Sequence, residues 1–338
     1  MRLSTFTYLM KKNLVLILMF LSSLAQAQLN GTYVIDPGGT GDYTNFAGVI
    51  SDLHAYGVSG PVQIEVEPGV YNEQIHLAQI VGVTQSDSIL FIGVGADSLA
   101  VRIEYSNQNV STNFILHLDG SDYVHFQNMH FKSTSPYFGR VILIGGEANY
   151  NSLSSCVFTG INQISNSNDL ALCYSSNSRD QYNQIRACRF ENGSFGLYWQ
   201  GTSSAIEYGN LVQDCIFESF TCTGIRADYQ NTLSIERNTL QSDTTVYWYA
   251  YGIYTKYMDG PSIISRNKVT MRGSDNLTVL RTDFSDASSL NPILISNNFL
   301  SQIGPNNDSS TGLFIYSGSN QLIAHNNVYI EGGDASGG

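Results

Sequence analysis

A chain of 338 residues with 16 Lys and Arg against 28 Asp and Glu, a net charge of −12, offers no basic surface for nucleic acid or anionic lipid. Only 13% of its residues are charged, while 31 are glycine and 7 proline, a balance of short strands and turns. Five cysteines without a C-x-x-C spacing exclude a zinc knuckle and a dithiol redox pair.

Residues 1–27 read as a secretory signal peptide. Lys11 and Lys12 precede the apolar run Leu14 to Leu21, and Ala25-Gln26-Ala27 supplies an A-x-A cleavage site. Eight apolar residues cannot span about 30 Å of hydrocarbon, and no later segment is apolar enough to do so. The mature chain is therefore expected outside the cell, secreted or at the cell surface, monomeric and not inserted in the membrane. Losing Arg2, Lys11 and Lys12 leaves 13 basic against 28 acidic residues, a net −15. That balance disfavours a strongly anionic polymer as a ligand unless calcium or a local basic strip bridges it.

Residues 28–60 predict one strand and a capping helix. Tyr33 to Ile35 enter the turn Asp36-Pro-Gly-Gly-Thr-Gly-Asp42. Thr44 or Asn45 then caps a helix whose Phe46, Val49, Ile50 and Leu53 share one face, and Gly57 ends it. Such a helix covers the first coil's open edge. Asp42 and Glu73 belong to turn and cap chemistry.

From Pro61 to Ile330 the chain repeats a coil. Val62, Ile64 and Val66 alternate with Gln63 and Glu65, and Val101, Ile103 and Tyr105 with Arg102 and Glu104, the period of a strand with one buried face. Eight segments then share the order apolar, any, any, ladder residue, any, apolar, beginning with Phe126-Gln-Asn-Met129-His-Phe131 and Leu153-Ser-Ser-Cys156-Val-Phe158. The ladder residues are Met129, Cys156, Cys188, Cys215, Asn238, Asn267, Asn298 and Asn326. Their intervals of 23 to 32 residues, with no helical period between, predict an all-β parallel β-helix of about ten coils over 61–330. Asn at the ladder position is expected both to adopt the left-handed bend and to hydrogen-bond along its column. Ser265 and Ser296 are expected to point outward. Cys156, Cys188 and Cys215 share one column, as buried thiols or, alternatively, as a disulfide between rungs. Residues 331–338 are a Gly-rich end without a polar cap, so the chain is expected to continue beyond them.

The G-x-G-D-Y-x-x-F opening at Gly39–Phe46 and the P-G-x-Y-x-E turn at Pro68–Glu73 resemble the first coil of the pectin-lyase-like superfamily of right-handed parallel β-helices. They are similar both to its pectinesterase-type members and to its exported Bacteroidetes proteins. The resemblance spans residues 31 to 330 as architecture and implies the fold. Pectinesterases carry a Gln-Asp pair and a G-x-x-D-F-I-F-G strand; here Val212-Gln213-Asp214 is a ladder turn and not that pair, the strand is absent, and so are the paired Asp, His-Gly and Arg-x-Lys motifs of polygalacturonases. No activity therefore carries across.

A second strand opens on Gly196, Gly224, Gly252 and Gly312, where glycine suits a corner with unusual backbone angles. Aligning these glycines places Tyr198, Arg226, Tyr254 and Phe314 in one outward column, with Gln200, Asp228, Lys256 and Tyr316 in the next. Arg281 and Asp283 fill the rung between. Rings mixed with charged tips suit sugars, whose C–H faces stack while hydroxyls bond to polar ends. The candidate substrate-binding residues are thus Tyr198, Arg226, Asp228, Tyr254, Phe314 and Tyr316, and the expected partner is a polysaccharide or cell-surface glycan. Lys256 and Arg281, one coil apart, are the catalytic candidates if the chain is a polysaccharide lyase acting on uronic-acid glycans, Lys as base and Arg steadying the carboxylate. Asp228, Asp259 and Asp283 are the metal candidates, with Ca²⁺ as the one cofactor they could hold. A non-catalytic binding or display protein is the first reading, and a structural stalk is the remaining one. The six histidines show no ligand spacing and read as surface or internally satisfied groups.

Overall fold

The computed structural model describes residues 28–175, 178–273, 276–304 and 310–331; the expected signal peptide and residues 332–338 lie outside them. Alternation does what the sequence dictates: Val62, Ile64 and Val66 are buried, while Gln63 and Glu65 between them are half-buried. Parallel pairing of each strand with its counterpart one coil later builds three long sheets and one short pair, Glu207–Tyr208 with Gln230–Asn231. Sheet 1 has eleven strands running from Leu29–Ile35 to Gln321–Ala324. Sheet 2 has ten, from Gly69–Tyr71 to Asn327–Ile330, and sheet 3 has nine, from Ile75–Ala78 to Ser310–Ser319. Each coil visits the three in turn, giving the expected right-handed parallel β-helix of about ten coils. The helix α1 (Phe46–Tyr56) buries Phe46, Val49, Ile50 and Leu53. Its N-terminal N–H groups are satisfied by Asn45, whose Oδ1 accepts from Gly48, and by Glu73, whose carboxylate accepts from Phe46 and Ala47 at 3.0 Å each.

The six-residue unit spans two strands and the bend between sheets 1 and 2. Its first, fourth and sixth positions all point inward, which strict alternation forbids. The third position resolves this by taking the left-handed conformation. Asn128, Ser155, Ala187, Asp214, Arg237, Arg266, Asn297 and His325 have φ between 51° and 58°. The bend therefore sits one residue before the expected place, and the ladder residue is free to reach the interior. There the expected column bonds form. Asn267 Oδ1 accepts from the backbone N–H and Nδ2 of Asn238, both at 3.0 Å, and its own Nδ2 donates to Ile235 O and Asn298 Oδ1. Asn298 repeats the arrangement with Asn326.

Sixth-position rings stack inside sheet 2: Phe158 lies 4.8 Å from Phe190, which lies 4.5 Å from Phe217. Each buried phenylalanine contributes about 1.5–3 kcal/mol through apolar burial. All five cysteines are free and buried, so the disulfide alternative is set aside. The ladder thiols donate to backbone carbonyls, Cys188 to Leu153 and Arg186. Ser265 and Ser296, expected outside, are buried, Ser265 donating to Glu236 Oε2 across the coil interval. The corner glycines do not need unusual angles either. A Cβ on Gly252 would stand 2.3 Å from Val269 Cγ1 and 2.4 Å from Val279 O, so closeness of the next coil selects glycine there.

Candidate functional site

Strand alternation turns every second side chain of sheet 3 to its outer face, and parallel register converts those side chains into columns. The first runs His76, His117, Leu143, Tyr174, Tyr198, Arg226, Tyr254, Arg281, Phe314. Beside it run Gln200, Asp228, Lys256, Asp283 and Tyr316. The expected strip residues thus come together in the expected order, with Arg281 and Asp283 on the rung between.

Their polar ends are largely occupied by one another. Arg226 binds Asp228 two residues on through Nε and Nη2, and Arg281 binds Asp283 in the same way at 2.9 and 2.8 Å. Each aspartate also accepts a phenol from the preceding rung, Tyr198 to Asp228 at 3.0 Å and Tyr254 to Asp283 at 2.8 Å. Burial, and then the bond to Asp283, raise the Tyr254 phenol above its ordinary range, so it stays a neutral donor. The guanidiniums lie between rings. Arg226 sits 4.5 Å from the Tyr198 centroid, and Arg281 5.2 Å from Tyr254 and 5.0 Å from Phe314.

Access divides the strip. Tyr198 and Asp228 are only 7% and 6% exposed. Tyr174, Phe195, Tyr198 and Cys222 form a small second core outside the coil, with Ala171 and Tyr247 packed into it. These two strip residues are therefore corrected from surface groups to covered ones. The open half lies further along, at Tyr254, Lys256, Arg281, Phe314 and Tyr316, the last two 38% and 51% exposed. Exposed Trp248 and Tyr249, stacked with ring planes 6° apart, and Tyr251 beside Tyr254 widen this patch. They escaped sequence alignment because they precede the aligned glycines. The patch lies on the outer face of parallel strands. Concave surface lies elsewhere, as in a 460 Å³ hollow lined by Lys268, Arg272, Phe299 and Tyr329 on sheet 2.

The two catalytic candidates lie on neighbouring rungs, Lys256 beside Asp283 and Arg281 beside Tyr254. Arg281 is committed to Asp283, and Lys256 stands opposite Asp283 in register with its Nζ 4.8 Å above the Tyr257 ring. The metal candidates do not gather. Asp228 and Asp283 are held in ion pairs two rungs apart, and exposed Asp259 accepts from Gly260 in a turn. Instead, the group of three donor residues found among the described residues is His76, His117 and Asp119. Burial chiefly pushes the His117 imidazole down to about 4. Two of the six histidines, 41 residues apart in the chain, are thus neighbours on consecutive rungs.

The family described as NosD, periplasmic copper-binding protein, matches residues 133–336. No curated protein matches the chain. Among solved structures, pectin methylesterase from Aspergillus niger is 13% identical over 92% of this chain and 89% of that chain, with a TM-score of 0.51. The GH136 lacto-N-biosidase from Eubacterium ramulus is 11% identical over 89% and 68%, with a TM-score of 0.58. DFA-IIIase from Arthrobacter chlorophenolicus A6, without its lid, is 12% identical over 91% of each chain, with a TM-score of 0.56. At these identities the likeness is one of fold, the pectin-lyase-like β-helix.

Proposed function

We propose that this chain, which belongs to the NosD family, is an exported β-helix that binds an extended polysaccharide along the open half of sheet 3 without cleaving it. The observation that carries this reading is the patch of Tyr249, Tyr251, Tyr254, Phe314 and Tyr316 around Arg281, whose guanidinium lies within 5.8 Å of three ring centroids. The rings stand on two strands two rungs apart, about 9.6 Å, with Arg281 on the rung between, and so present apolar faces to alternate positions of an extended chain and a guanidinium between them. Because Arg281 is neutralised by Asp283 and the chain is acidic overall, a neutral polymer fits better than a uronic one. Side chains repeated along parallel strands also suit a long chain more than a small molecule, which is usually held in an enclosed pocket.

Calorimetry against neutral and uronic-acid polysaccharides, with calcium present, tests this. Binding to a neutral polymer that falls about tenfold or more in Phe314→Ala and Tyr316→Ala supports it. Unchanged binding in both variants, or no binding to any polymer, removes it. Release of an unsaturated, ultraviolet-absorbing product from a uronic polymer, lost in Lys256→Ala, would establish the lyase reading instead.

A further inference from the structure

Sheet 3 begins with two imidazoles at consecutive rungs of its outer column, His76 facing His117, and Asp119 stands opposite Ala78 in the column beside them. The rings stack with centroids 5.0 Å apart and planes 16° from parallel. His76 Nε2 lies 3.1 Å from Asp119 Oδ2, and one donor atom from each of the three residues falls within 4.8 Å of the others. No other group of three His, Cys, Asp or Glu donors gathers this closely among the described residues. His76 and Asp119 are 50% and 44% exposed, and a pair so open to water adds little to stability. The fold does not need this cluster, yet register repeats an imidazole there and sets a carboxylate against it.

We propose that His76, His117 and Asp119 bind a divalent transition-metal ion, with Cu(II) preferred over Zn(II) and Ni(II). Two imidazole nitrogens and one carboxylate oxygen are a borderline donor set, for which affinity rises toward Cu(II). The same set is poor for Ca²⁺, which takes six to eight oxygens. Bonds of about 2.0–2.2 Å bring the donors to roughly 3 Å from one another, so His76, half-exposed on its strand, closes onto the ion by a side-chain rotation. Phe114, with its ring centroid 5.0 Å from that of His117, walls the site on one side. His54 Nε2 is already taken by the Ala78 N–H, which leaves three protein ligands and at least one position open to solvent. The NosD description names copper, but the match covers residues 133–336 and excludes this group. Inside the matched stretch the five thiols are buried, and those of the ladder are spent on backbone carbonyls, a poor fit to the ion. The donor set at the start of sheet 3 does fit it.

The test is titration of the untagged full chain with Cu(II), followed by calorimetry and electron paramagnetic resonance. One Cu(II) per chain with a spectrum split by imidazole nitrogens is expected. His76→Asn and Asp119→Asn should each weaken binding about tenfold or more, with the nitrogen pattern simplified in the former. His325→Asn should change neither, Zn(II) should compete, and Ca²⁺ should not. A Cu(II)-dependent rise in melting temperature, absent in His76→Asn, checks the same site without relying on a buried substitution. Failure to bind Cu(II), or an affinity and spectrum unchanged in His76→Asn, overturns the proposal.

Discussion

Replacing Asn267 by Leu tests the ladder most directly. Asn267 is 1% exposed, and its amide makes four hydrogen bonds, two accepted from Asn238 and two donated to Ile235 O and Asn298 Oδ1. Leucine is close in size, so the core remains filled and the loss is almost wholly polar. The Asn238 backbone N–H loses its partner inside the coil, at about 1–3 kcal/mol for a buried orphan. The Asn238 amide keeps Val212 O, and Asn298 Oδ1 keeps the Asn267 N–H, so those groups are weakened rather than stranded. Together the substitution should cost about 3–5 kcal/mol. Asn326→Leu removes the same kind of bonds at a partly exposed rung, where water replaces them, and should cost about 1–2 kcal/mol. Lys268→Ala, on the exposed side of the next strand, should stay within about 0.5 kcal/mol. Urea unfolding followed by far-ultraviolet dichroism gives all three. Equal losses at Asn267 and Lys268 would refute the inward ladder and the register built on it.

Ala187 holds φ at 51° on an exposed bend, a conformation costing an L-residue about 1–2 kcal/mol. Ala187→Gly should therefore stabilise the protein by about 0.5–1 kcal/mol, whereas Ala250→Gly, in a buried strand, should destabilise it by about 1 kcal/mol; a loss at both positions would contradict the assigned bend. Asp180 is buried, and burial pushes its carboxyl up to about 6, from 3.8. Because the folded state holds this proton more tightly than the unfolded chain, its contribution is complete below about pH 4 and is lost as pH rises through 6, some 3 kcal/mol in all. Urea unfolding from pH 4 to 7.5 should show that decline flattened in Asp180→Asn, and parallel profiles for the two proteins would exclude it.

The coil was readable from sequence because one face of each strand must be apolar and the unit recurs. The outer columns were readable for the same reason, since Gly224-Ile-Arg and Gly252-Ile-Tyr carry the register with them. Coverage was not. Tyr198 and Asp228 alternate outward as Tyr254 does, but Tyr198 is packed in a cluster with Ala171, Phe195 and Tyr247, and Asp228 is held by the Tyr198 phenol and the Arg226 guanidinium. The bend was misplaced by one residue because asparagine tolerates the left-handed region, while here it is kept for the column and residues as different as Ala187, Arg237 and His325 take the strain. His76 and His117 escaped notice because the loops between them put 41 residues where the neighbouring intervals are shorter. Spacing along the chain hid a distance of one rung.

The parallel register also makes length along sheet 3 a counted quantity. From His117 to Arg281 there are six steps, or about 29 Å at 4.8 Å each. A coil gained or lost between them, for instance within Gly146–Gly193, would change that separation by one whole step while leaving both groups of side chains pointing the same way. A one-residue slip would instead turn either group into the interior. Variation in this molecule is thus confined to a ladder of discrete lengths. Two surface features can be moved apart or together along a common line without being rebuilt, much as marks on a ruler are shifted by cutting out a graduation.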